Sequence, residues 1–204
     1  MNIKNTAVKG ISYDAYRQLI DKLIAEGKTT GNTQSEALLE YTKMNVQRMN
    51  RIDKTTEIEE DAARQLLALE NPLIWLTAAE AWCGDCAQVV PVLNKLALAS
   101  GGKIELKIVV RDHAPELAET FQTQSIPKLI MAGSDSLNVR HVWGPRPQQA
   151  QNIMLKWKNS NGLISKHDFE KELHLWYARD KGAAIIHELL NRLAILNEEK
   201  VGTA

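Results

Sequence analysis

The sequence predicts an α/β fold, a βαβαββα core around a central four-stranded mixed sheet, with added helices at both ends. Three observations predict it. The apolar runs 73–77 and 104–110 are separated by one helical stretch and followed by another, and this alternation implies parallel strands joined by right-handed crossovers. Residues 128–132 and 137–143 flank the turn Gly133-Ser134-Asp135-Ser136, which makes a hairpin. Residues 1–70 and 159–204 carry helical periodicity without strand signals. No Gly/Ser-rich or Pro-rich linker sets them apart, so 1–70 is expected as a helical extension packed on a core of 71–158, and 159–204 as a second helical extension.

Taken in order, Tyr13, Tyr16, Leu19, Ile20, Leu23 and Ile24 recur at helical spacing behind Ser12 as N-cap, and Gly27 stops the helix. Thr33 and Glu36 have the spacing of a capping box for a second helix to about Arg51. Ala37, Leu38, Tyr41, Met44, Val46 and Met49 form its inner face, and Asn45, Arg48 and Arg51 a solvated side. Thr56 and Glu59 repeat the box before a third helix with Ile58, Ala62, Leu66 and Leu67 inward, ended by Asn71-Pro72. After the first strand, residues 78–81 lead to a turn and a helix to about Ser100, bent by Pro91 and closed by Gly101-Gly102. Pro115 opens a short helix to about Phe121, and Gly144-Pro145-Arg146-Pro147 breaks the second hairpin strand before a helix over Gln148–Lys158. In the tail, Ser165 is a cap. The stripes Phe169, Leu173, Trp176, Tyr177 and Ile185, Ile186, Leu189, Leu190, Leu193 fit one long helix or two broken near Gly182.

The 204 residues suffice for one good core with extensions. The 25 basic and 25 acidic side chains cancel, so net charge suggests neither nucleic acid, an anionic membrane nor a polyanionic substrate. Residues 1–30 hold no apolar signal-peptide core and no stretch approaches membrane-spanning length. This predicts a cytoplasmic protein with neither nucleic acid nor membrane among its partners.

Both cysteines lie in Trp82-Cys83-Gly84-Asp85-Cys86, on the turn where the first strand becomes a helix. The unpaired N–H groups and dipole of a helix start favour a thiolate there, which assigns Cys83 as nucleophile. Cys86 lies one turn on over the same face, placed to resolve a mixed disulfide. Gly84 admits a foreign backbone and Trp82 offers a broad amphipathic surface. A zinc half-site and two inert core cysteines are the alternatives. Zinc needs further ligands, and His113, His141, His167, His174 and His187 are scattered without an HxxxH pair. Chance seldom puts the only two cysteines at this spacing on such a turn. Redox chemistry ranks first, with neither a metal nor a bound cofactor expected.

Residues 72–158 resemble the thioredoxin-like superfamily: Trp82 before the first cysteine, Pro91 five residues after the second, and Ile126-Pro127 before the hairpin all match. With its helical ends and WCGDC centre, the chain is similar to a bacterial subgroup of thioredoxin-like proteins. The resemblance implies thiol–disulfide exchange, a cis peptide at Pro127 facing the cysteines, and a partner chain bound against Trp82, Gly84, Asp85, Ile126, Pro127 and Gly144. Two departures stand out. The family's CGPC centre is CGDC here, and the Asp85 carboxylate opposes a neighbouring thiolate. The family's buried aspartate and its lysine partner are replaced by Thr77 and Ile108, which leaves proton relay to Glu80 or Asp85. Arg111 and Asp112 follow the second strand at the carboxyl edge of the sheet, where Arg111 is placed to offset Asp85 or steady the thiolate, unless the segment is a plain solvated loop.

The expected function is thiol–disulfide oxidoreduction of the protein disulfide reductase kind. Its substrate is a disulfide-containing protein or a small thiol compound, and its electrons come from a thiol reductase or a low-molecular-weight thiol. The alternative is a binding or scaffold protein of the same fold whose CxxC is redox-sensing or vestigial.

Overall fold

The computed structural model describes residues 3–121 and 125–198, so the outermost residues of both extensions and residues 122–124 of the core lie outside the described residues. The central strand β1 (Leu73–Ala79) is apolar almost throughout and buried along its whole length, as a strand covered on both faces must be. It pairs in parallel with β2 (Ile104–Val110), Leu73 opposite Ile104, and antiparallel with β3 (Lys128–Gly133), Leu73 opposite Gly133. With β4 (Val139–Trp143) beside β3, the described residues form one mixed sheet in the order β2-β1-β3-β4. The hairpin turn is longer than the sequence suggests, because Leu137 takes a left-handed backbone (φ 54°) and pairing starts only at Val139.

Helices cover the sheet. After α1 (Lys4–Ala7), Ile11 exchanges backbone hydrogen bonds of 2.9 and 2.8 Å with Ile108, which blunts the free edge of β2. Ser12 caps α2 (Tyr13–Ala25) by accepting from the Ala15 amide, as the sequence indicates. The next helix, α3 (Glu36–Thr55), departs from expectation. Ser35, not Thr33, is its N-cap, while the Gln34 side chain ties the preceding loop at Thr29 and Gly31. Its buried face is Thr42, Asn45, Met49 and Ile52, and Tyr41 and Met44 are exposed. The polar members can go inside because their hydrogen bonds are met there: Asn45 donates to the Ala81 carbonyl (2.7 Å) and Thr42 to that of Leu38 (2.8 Å).

Thr56 likewise forms no capping box; its hydroxyl donates to the Lys181 carbonyl, and α4 (Glu60–Leu67) starts behind Glu59 with Leu67 exposed. Between β1 and β2 runs α5 (Gly84–Ala99), continuous through Pro91. A 3-10 turn (Arg111–His113) leads from β2 into α6 (Pro115–Phe121), and α7 (Gln148–Lys158) follows the hairpin. The tail is two helices, α8 (Lys166–Asp180) and α9 (Ala183–Glu198), separated where Lys181 and Gly182 turn left-handed. From α9, Glu188 accepts from the Trp143 indole (2.9 Å) and the Gln148 amide (2.6 Å), so one carboxylate joins the end of β4 to the start of α7. A single apolar cluster takes in Tyr16 of α2, Met49 of α3, Trp75 of β1, Leu93 of α5, Tyr177 of α8 and Leu189 of α9.

Candidate active site

The cysteines sit where β1 gives way to α5. Cys83 is the N-cap residue, with an extended backbone (φ −79°, ψ 119°). Its N–H donates to the Glu80 carbonyl (3.1 Å) and its carbonyl accepts from Ala87 (3.2 Å), which fixes the turn from both sides. Both cysteines are free thiols; Cys83 is half-buried and Cys86, in the first turn of the helix, is only 2% exposed. Burial first, then the hydrogen bond and charge of Cys83, push the Cys86 thiol well above the ordinary thiol range. The Cys83 thiol donates to the Ile126 carbonyl (3.4 Å). The Ile126–Pro127 and Gly144–Pro145 peptides are both cis. Gly144 has φ 107°, and a Cβ there would lie 2.6 Å from the Pro127 carbonyl oxygen, so the chain's own Pro127 already occupies the space that its missing side chain leaves.

Asp85 differs from its sequence reading. It is 7% exposed, turned into the protein, and its carboxylate accepts from the Arg146 guanidinium (2.5 Å) and the Tyr177 hydroxyl (2.9 Å). Burial still raises its pKa, against the pull of Arg146. Its charge is thus met by Arg146, not by Arg111, and burial takes it off the surface that a partner would touch. Arg111 instead chelates Asp112 (2.9 and 2.7 Å) and lies over the Trp82 ring, 5.3 Å from its centroid. Asp112 also accepts from the Asn32 amide, which holds it below the usual carboxylate range.

Glu80 is fully buried. Its carboxylate accepts from the Thr30 hydroxyl (2.5 Å) and the Asp112 amide (3.2 Å), and burial raises its pKa against those bonds. The Thr77 and Tyr16 hydroxyls are buried without a hydrogen-bond partner among the described residues.

The extensions wall the site. From α8, His174 reaches over the start of α5: a Cβ on Gly84 would lie 2.9 Å from its Cε1 and 3.3 Å from Arg48 Nη1 of α3. Gly84 is therefore approached by the chain itself, where the sequence suggested a foreign backbone. Burial, then Arg48, Arg51 and Arg146, lower the His174 pKa to about 4. Its neutral ring accepts from Gln88 at Nδ1 (3.4 Å), and Gln88 in turn accepts from Arg51 (3.0 Å). Arg48 and Arg51, expected on a solvated side, are thus part of the site. Between α3 and α8 lies a groove of about 800 Å³ that opens onto Cys83. Nothing local in the sequence marks His174, Arg146 or Tyr177 for this site, because each comes from a segment remote from the cysteines.

Fold and site together define a thioredoxin-fold protein with a reduced CxxC pair at the start of its first core helix. The chain belongs to the thioredoxin family, whose model matches residues 31–160, more than half of it. That match begins ahead of α3 and takes in the wall it forms. A thioredoxin of Mycobacterium bovis is 32% identical over 91 residues, 43% of this chain and 74% of that protein. The chloroplastic thioredoxin M-type of Triticum aestivum is 34% identical over 73 residues, and the chain spans only 41% of its length. A crystal structure of a protein of unknown function from Pseudomonas aeruginosa matches over 88% of this chain and 99% of its own, with TM-score 0.54 and 16% identity. An HIV epitope-scaffold matches over 84% and 94%, with TM-score 0.52 and 17% identity. These two structures share the fold across nearly the whole chain, extensions included.

Proposed function

We propose that this protein is a thiol–disulfide oxidoreductase in which Cys83 is the nucleophile and Cys86 the resolving thiol. The observation that carries this reading is the asymmetry of the pair: Cys83 is partly exposed at the N-cap of α5, and Cys86 is buried one turn inside. A sulfur at the helix start meets a partner disulfide where the helix dipole favours negative charge, and the sheltered sulfur attacks only the mixed disulfide so formed. Membership of the thioredoxin family supports the same chemistry. Trp82, Gly84, Ile126, Pro127 and Gly144 surround the reacting sulfur in this reading, with Arg111 steadying Trp82, and of the two buried acids near the cysteines in sequence Glu80 serves proton movement, since Asp85 is paired with Arg146. The substrate is a disulfide-bearing protein or small compound, a thiol reductase or low-molecular-weight thiol returns the electrons, and the place of action in this reading is the cytoplasm, where ambient thiols keep such a pair reduced. Among the described residues no helix is long and apolar enough to cross a membrane.

Trapping tests it. Cys86→Ser is expected to stall as a covalent adduct at Cys83, seen as a mass increase that dithiothreitol removes, and Cys83→Ser to lose disulfide reduction altogether. A Cys83→Ser chain that reduces disulfides at the wild-type rate overturns the assignment. Absent turnover, with a partner still bound by the double serine variant, supports a scaffold instead.

A further inference from the structure

We infer that the groove between α3 and α8 selects the substrate of Cys83, and that it takes a low-molecular-weight disulfide bearing a carboxylate near its sulfur; the inference rests on the thiol–disulfide reading above. At about 800 Å³ the groove falls in the range of small-ligand sites. Its walls are Tyr41, Met44 and Arg48 on one side and Lys171 and His174 on the other, with Trp82 beside the sulfur. Tyr41 is 36% and Met44 47% exposed, so apolar surface is held open next to a reactive atom.

Charge decides the class. The Arg48 guanidinium reaches within 3.3 Å of the Cβ position of Gly84, between the cysteines. It donates only to neutral acceptors, Asn45 Oδ1 (2.7 Å) and Met44 Sδ (3.1 Å), and among the described residues it forms no salt bridge. The acids of the groove are held by others: Glu170 by Lys166 (3.5 Å) and Glu40 by Lys43 (2.6 Å). Arg51 stands behind Arg48, bonded to the Gln88 amide oxygen (3.0 Å), and the His174 ring is neutral at pH 7. A half-buried guanidinium that feels Glu170 and Asp85 only through space, forms no salt bridge among the described residues and has donors left over fits a carboxylate in its planar fork. A disulfide held by that carboxylate lays its body on Tyr41 and Met44 and its sulfur at Cys83.

The step balances. Cys83 thiolate attacks one sulfur of R–S–S–R, forms the mixed disulfide Cys83–S–S–R and expels RS⁻. Cys86 thiolate then attacks Cys83 Sγ, expels the second RS⁻ and leaves the Cys83–Cys86 disulfide. The ligand is reduced by two electrons and the protein dithiol oxidised by two, the thiol protons passing through water to the released thiolates; a thiol reductase or a low-molecular-weight thiol restores the dithiol.

The test compares two disulfides of similar size on the full-length reduced chain, the dicarboxylate 3,3′-dithiodipropionate and the uncharged 2-hydroxyethyl disulfide, following loss of free thiol. The dicarboxylate is expected to react about tenfold faster, equivalent to ~1.4 kcal/mol. That ratio falls to about one in Arg48→Gln and to an intermediate value in Arg48→Lys, which keeps the charge but loses the fork. Equal rates in the wild type, a ratio unchanged in Arg48→Gln, or insulin reacting faster than the dicarboxylate overturns the groove assignment while leaving Cys83 chemistry standing. A natively folded chain that neither disulfide oxidises at Cys83 overturns the thiol–disulfide reading, and this inference with it.

Discussion

His174 carries the clearest consequence at the scale of single residues. Burial and three arginines hold its pKa at about 4 in the native state, against 6.5 for an ordinary histidine. The folded chain therefore binds this proton less readily than the unfolded one. Above pH 6.5 both are neutral and the site has its full stability; as pH falls toward 4 the unfolded chain protonates first and stability declines, by at most about 3 kcal/mol. Urea midpoints of the wild type are expected to drop between pH 6.5 and 4.5 relative to His174→Asn, and parallel profiles would refute this. Of the site, Trp82, Cys83 and Cys86 were legible in the sequence because they are contiguous and their spacing has a chemical meaning. Arg146 and Tyr177 were not. Local sequence shows that Asp85 has a charge to be met, but only the fold decides which of the chain's basic groups meets it.

At the scale of elements, the sequence locates all four strands, since each is an apolar run bounded by turn residues, but it stops β1 two residues short and starts β4 two residues early. The face of α3 was misread because periodicity counts Thr42 and Asn45 as outward and Tyr41 and Met44 as inward. Satisfied hydrogen bonds reversed the first pair, and the open groove the second. The junction of hairpin and active site depends on Gly144. Alanine there must hold φ near 107° and place its Cβ 2.6 Å from a backbone oxygen that has little freedom to move. Backbone strain alone costs about 1–3 kcal/mol, and the overlap adds to it. Gly144→Ala is expected to lower the melting temperature and slow Cys83 alkylation together, as Pro127 is pushed toward the sulfur. An unchanged melting temperature would show that the strand end relaxes freely.

For the whole molecule, we propose that the extensions pack on the core as one unit with it. Tyr13, Tyr16, Ile20, Met49 and Ile52 share its apolar cluster, each at most 6% exposed. At about 1.5–3 kcal/mol for each large buried side chain, their loss rivals the 5–15 kcal/mol by which a domain of this kind is stable. Deleting residues 1–55 is expected to abolish cooperative unfolding and cause aggregation. A soluble fragment 56–158 with the melting temperature of the full chain would reassign both ends as separate modules. The Tyr177 hydroxyl that meets Asp85 lies 92 residues further along the chain. At an elongation rate of about 5–20 residues per second, a ribosome delivers it roughly 5–20 s after the acid. During that interval the nascent chain presents both cysteines before α8 exists to wall them, so a thiol oxidant meets them without the groove's filter. Selectivity is thus acquired only once α8 has been made.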